Sequence, residues 1–208
     1  MEEKKAYILK HLSELYLKYG IKSITMDDVA AEFGISKKTV YQYFKGKEDL
    51  VNQVMEHVVK TCAFNLNDKE LGNVIDRHFA LRDHLLNVMK YINNNIEYDL
   101  KKLYPRLYKR FHDDKRNRIY TSTLENITEG IQEGWYRPGL DAEIVAKLQL
   151  GKMFYVFNPE YEIFSEQDMM NIEVFDKVTE LFMYSVCTEK GLKYYTEQLN
   201  KIKNDIKN

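Results

Sequence analysis

Glycine and proline are scarce, at nine and three in 208 residues, against usual shares of roughly 7% and 5%. So few turn formers exclude a fold of many short strands joined by hairpins. Cysteine is scarcer still. Cys62 and Cys187 are the only two and lie far apart, which excludes a disulfide framework; both read as small buried hydrophobes. No long apolar run occurs, and the N-terminus, MEEKKAYILK, is charged. Neither a signal peptide nor a membrane span is expected, and the chain reads as cytoplasmic, with no membrane partner.

Catalytic signatures are missing too. The five histidines lack metal-ligand spacing; His78 and His84, six apart, leave different faces of a helix. The run HDD at 112–114 reads as a solvated face. The sequence has no glycine-rich phosphate loop, no nucleophile elbow and no paired catalytic carboxylates. The expectation is a protein with no enzymatic activity, no cofactor and no metal.

What is present is helix. Apolar residues make up 44% and charged residues 30%, and the fold class expected is all-α. Ile8, Leu12, Leu15, Tyr16 and Tyr19 recur at helical spacing over 4–19, and Gly20 closes the run. Thr25 is an N-cap, with Asp28 placed to complete a capping box. Val29, Ala30 and Phe33 give a short apolar face ended by Gly34. Ser36 caps a helix over 37–44, and a longer helix is expected over 48–66. Beyond it, 70–94 and 96–103 read as helical. Pro105 opens a helix that runs to about Gly134, and Asp141 caps another carrying Ile144, Val145, Leu148 and Phe154. A loop over 158–168 precedes a last helix with Val174, Phe175, Val178, Leu181, Phe182 and Ser185. Gly191 is expected to end it, leaving a polar, lysine-rich tail.

Charge is uneven. Net charge is -1 overall, yet residues 33–47 hold Lys37, Lys38, Lys45 and Lys47 and no acid. So local a patch fits a few phosphates rather than a uniformly basic coat. Two short helices joined by FGIS have helix-turn-helix anatomy. On a helical wheel, Val40 and Phe44 share one face and Lys38, Gln42 and Lys45 the opposite one. Lys37 and Tyr41 line one flank, Thr39 and Tyr43 the other. Lysine and tyrosine suit phosphates, while glutamine or lysine reaches base edges. Lys47, opening the next helix, is placed to meet a phosphate at that helix's N-terminus.

Residues 8–51 resemble the N-terminal domain of the TetR family of bacterial transcriptional repressors. The resemblance rests on Ile8-Leu9, Leu15-Tyr16, Gly20, Thr25, Val29-Ala30, Gly34-Ile35-Ser36, Thr39-Val40-Tyr41, Tyr43-Phe44, Lys47-Glu48 and Leu50. Leu12, Phe33 and Lys38 depart from the family's usual small residues. The DNA-contact set becomes Thr25, Ser36, Lys37, Lys38, Thr39, Tyr41, Gln42, Tyr43, Lys45 and Lys47.

The resemblance implies a DNA-binding domain over 1–47 and an effector-binding, dimerising domain over 48–208, linked by helix 48–66. It implies a homodimer on a palindromic double-stranded operator, with Leu148, Val174, Val178 and Phe182 at the dimer interface. Aromatic and Met side chains suit an apolar or aromatic small-molecule effector. The candidates are Tyr91, Tyr98, Tyr104, Phe111, Tyr120, Met153, Phe154 and Phe157, while Trp135 is expected to staple a corner. The reading is a ligand-responsive repressor. The alternatives are a ligand-free or protein-responsive DNA binder of the same fold, and a helical interaction module that binds no DNA.

Overall fold

Helices account for nearly all regular structure in the computed structural model, which describes residues 2–89, 95–158 and 161–205. In chain order they are α1 (Glu2–Tyr19), α2 (Met26–Glu32), α3 (Lys37–Tyr43), α4 (Lys47–Cys62), α5 (Asp76–Met89), α6 (Asn95–Leu103), α7 (Pro105–Gln132), α8 (Ala142–Val156), α9 (Glu166–Met169), α10 (Ile172–Val186) and α11 (Glu189–Asp205). The chain divides into two compact units. One holds residues 1–63 and 87–114, the other 64–86 and 115–208.

The first unit is built on the α1 stripe. Ile8, Leu12 and Tyr16, four apart, are fully buried with Leu50, Val51 and Val54 of α4, Val29 of α2 and Val40 of α3. Burial of each such side chain contributes about 1.5–3 kcal/mol. Ile96 and Leu100 of α6 complete this core from outside the first 63 residues. Thr25 and Asp28 form the expected capping box on α2, the Asp28 carboxylate accepting from the Thr25 N–H at 2.8 Å. Gly34, at φ +58°, makes the turn into α3, and Ser36 caps it, accepting from the Thr39 N–H at 3.1 Å.

The second unit has its own core of Val74, Ile75, Ile127, Tyr136, Phe182, Met183, Val186 and Tyr195. Its buried charges are paired. Arg77, 2% exposed, meets the Glu129 carboxylate through two hydrogen bonds of 2.8 and 3.0 Å. Arg82 grips Asp176 at 2.7 and 2.9 Å, tying α5 to α10. Asn126 is the polar hub. Its Oδ1 accepts from the Tyr136 hydroxyl at 3.0 Å and lies 3.2 Å from His78 Nε2, and its Nδ2 donates to the Val74 carbonyl.

Three segments differ from the sequence expectation. The helix expected over 48–66 stops at Cys62, where Ala63 turns extended and the Asn65 side chain accepts from the Asn67 N–H at 3.1 Å. The helix expected from 70 begins at Asp76, because Gly72 (φ +100°) breaks the chain and the Asn73 side chain accepts from the Ile75 and Asp76 N–H groups. Residues 90–94 of that stretch lie outside the described residues. The tail beyond Gly191 is α11, whose Leu192, Tyr195 and Leu199 pack on the second core. Gly191 sits inside this helix because a Cβ there would stand 2.3 Å from the Trp135 carbonyl oxygen. The Trp135 ring lies 5.2 Å from that of Tyr194, with the Lys190 ammonium 3.9 Å from its centroid, so it clamps α11 to the turn after α7.

Candidate nucleic-acid interface

Seven residues make α3, and two anchor it. Val40 within it and Phe44 at its end are 0% and 1% exposed. With that face spent, Lys37, Lys38, Tyr41 and Gln42 are exposed, as is Lys45 just beyond, and Thr39 and Tyr43 are half-buried. The arrangement follows the wheel drawn from the sequence. Acceptors, donors and cations share one outward surface with no apolar side chain larger than the tyrosines, a chemistry suited to phosphates and base edges.

Several predicted contacts already have partners in the chain. Thr25 is exposed, but its hydroxyl donates to Asp28 at 2.7 Å within the capping box. The Ser36 and Thr39 hydroxyls lie 2.8 Å apart. The Lys37 ammonium is held by both Asp27 oxygens, at 2.8 and 3.1 Å. Lys47 is a correction. Its ammonium turns inward, donating to the Tyr16 hydroxyl at 2.9 Å and to the Ile24 carbonyl, so it ties α4 to α1 and to the chain before α2 rather than facing outward. Burial pushes its ammonium down to about 8 against the opposing pull of Asp28 and Asp99.

The candidate pocket residues do not form one cluster in either unit. Tyr91 lies outside the described residues. Tyr98 is 61% exposed, and Tyr104 and Phe111 pack against the first core. Tyr120 packs against the second core, and Met153, Phe154 and Phe157 are half-buried along and just after α8.

The interface candidates also need correction. Val178 and Phe182 are 6% and 2% exposed inside the second unit, the Phe182 ring edge-on to Tyr136. Both are covered within the chain itself. Val174 is half-buried, and Leu148 is 68% exposed. Sequence reasoning missed the residues that are open on the same helices: Ile144 and Tyr155 on α8, Leu181 and Tyr184 on α10. The signal was there. Apolar residues on α10 span more of the wheel than one buried face can use.

Residues 8–54 match the family model described as bacterial regulatory proteins, tetR family. The HTH-type transcriptional regulator YvaF of Bacillus subtilis (strain 168) is 23% identical over 171 residues, covering 81% of this chain and 88% of its own. The fatty acid metabolism regulator protein of the same organism is 27% identical over 150 residues, covering 66% and 73%. Among solved structures, a transcriptional regulator from Saccharomonospora viridis in complex with choline superposes with a TM-score of 0.55 at 16% identity, over 91% of this chain and all of that one. With an exposed polar α3 seated on a buried Val40 and Phe44, and with these relatives, the chain is a helix-turn-helix DNA-binding transcriptional regulator whose residues 8–54 are similar to the tetR family.

Proposed function

We propose that the chain is a repressor that binds a palindromic operator as a homodimer and is released by a small apolar or aromatic molecule. Residues 1–47 serve as the DNA-reading part, 48–208 as the effector-binding and dimerising part, and α4 as the link between them. The observation that carries the reading is the polar outward surface of α3. Lys38 and Gln42 are its base-reading residues, and Tyr41 and Lys45 its phosphate contacts.

Dimerisation is supported by the open apolar residues Ile144, Leu148 and Tyr155 of α8 and Leu181 and Tyr184 of α10. Such residues are costly in water and mark an interaction surface. A short recognition helix also makes too few contacts alone, and palindromic sites need two heads at fixed spacing. Effector control is supported by the fold neighbour that holds choline.

The test is fluorescence anisotropy of full-length protein with duplexes tiled across the DNA upstream of its gene. Tight, saltable binding to one duplex, weakened by a compound that raises the melting temperature, supports the reading. Equal binding to every duplex leaves a non-specific DNA binder, and no binding removes the repressor role.

A further inference from the structure

Asp27 and Lys37 stand ten residues apart on either side of the turn between α2 and α3. Both Asp27 carboxylate oxygens lie within 3.1 Å of the Lys37 ammonium. The pair is exposed, at 69% and 56% of the respective side chains. Exposed ion pairs add little to stability. Asp27 is not needed for the α2 cap either, since Asp28 closes the capping box with Thr25. Its other effect is electrostatic. Lys37 is the first residue of the DNA-reading helix, and the nearest anion to it is already part of the protein.

We propose that Asp27 is a specificity-determining residue that keeps Lys37 off the phosphate backbone. On DNA of arbitrary sequence, a regulator is held almost wholly by lysine and arginine contacts that release counterions. A lysine that must first leave a carboxylate, and then leave that carboxylate facing the phosphates, contributes no net counterion release. Lys38, in the same turn, has no ion-pair partner among the described residues and keeps its full contribution. Asp27 thus subtracts one ionic contact per head from non-specific binding. The polar groups of α3 that can reach base edges are untouched.

The experiment is a double-mutant cycle on the full-length protein, Asp27→Asn and Lys37→Ala, with a labelled mixed-sequence duplex as probe. Affinity is measured across a salt series. Asp27→Asn should steepen the slope of log affinity against log salt by about 0.9 per head, which is an additional loss of about 3- to 4-fold between 50 and 200 mM salt. Lys37→Ala alone should leave the slope unchanged, and in the Asp27→Asn background it should remove the whole gain. Circular dichroism melts check that both variants fold. An unchanged slope in Asp27→Asn, or an equal loss on Lys37→Ala in both backgrounds, overturns the proposal. A shallower slope in Lys37→Ala alone overturns it without the Asp27 variant, because Lys37 would then already be on the backbone.

Discussion

The Lys22 backbone N–H donates to Asp99 Oδ2 at 2.8 Å, joining the segment between α1 and α2 to a side chain 77 residues further along. Asp99 is 8% exposed. Asp99→Ala should destabilise the first unit by about 1–3 kcal/mol, the cost of a partly buried donor left without its partner. Hydrogen exchange of the Lys22 amide should accelerate in Asp99→Ala and stay slow in Asp99→Asn, which keeps an acceptor oxygen. Equal exchange in all three proteins would show that the bond is not formed in solution.

Lys47 gives a pH signature on the alkaline side. Its folded ammonium is held down to about 8 by burial, below the usual lysine value of about 10.4. Between those values the unfolded chain binds the extra proton, so this group makes stability rise with pH. Lys47→Met should lose that rise and melt at a temperature less dependent on pH from 8 to 10. The same substitution should leave the salt dependence of DNA binding unaltered, because the ammonium faces Tyr16. A reduced salt slope would return Lys47 to the phosphate contacts.

His78 gives the complementary signature in acid. Burial pushes its imidazole down to about 4, and the neighbouring Arg77 acts in the same direction, against the hydrogen bond with Asn126. The unfolded histidine titrates near 6.5, so stability is lost as pH falls from about 6.5 to 4. With Asn126 Oδ1 also accepting from Tyr136, His78 carries its proton on Nε2. His78→Gln keeps a donor without the titration. Its stability should fall less than the wild type's over that range, by an amount on the order of 1–3 kcal/mol at the acid end. Parallel acid limbs would place the titration elsewhere.

Open positions on α8 and α10 should fail differently from the buried face of α10. Leu181→Glu and Leu148→Glu change open positions and should give folded monomers whose sedimentation no longer depends on concentration. Phe182→Glu places a charge in the second core beside Tyr136 and His78. It should unfold that unit, with a loss of several kcal/mol. Folded dimers for both leucine variants would move the interface off these helices.

Gln42 is the residue proposed to read bases. Gln42→Ala should cost about 1–3 kcal/mol on the operator and little on random DNA. Equal losses on both would make it a backbone contact.

The local order of the chain was legible because its signals are local. Thr25, Gly34 and Ser36 each satisfy or permit a backbone geometry at their own position, and Val40 with Phe44 fixes which side of α3 is left for DNA. The direction of a long flexible side chain was not legible. Lys47 and Lys37 read alike as cations beside a recognition helix, yet one is drawn into the fold by Tyr16 and the Ile24 carbonyl and the other is caught by Asp27. Nor did the stripe of α10 say which of two apolar faces is covered within the chain. Phe182 and Leu181 are neighbours in sequence, 2% and 64% exposed. The helix beyond Gly191 was missed because a glycine chosen for close approach to Trp135 looks in sequence like one chosen to stop a helix.

The core of the first unit has a consequence for inheritance. Ile96 and Leu100 sit in the same cluster as Ile8, Leu12 and Leu50, though α6 is encoded well after α4. A gene segment ending at Ala63 would carry every element of the helix-turn-helix and still leave apolar side chains of that cluster wet. Recombination that swaps DNA-reading heads between regulators would therefore succeed only when α6 travels with the head or when the recipient's own α6 fits it. The head and α6 are thus constrained to change together, as one heritable piece written in two places.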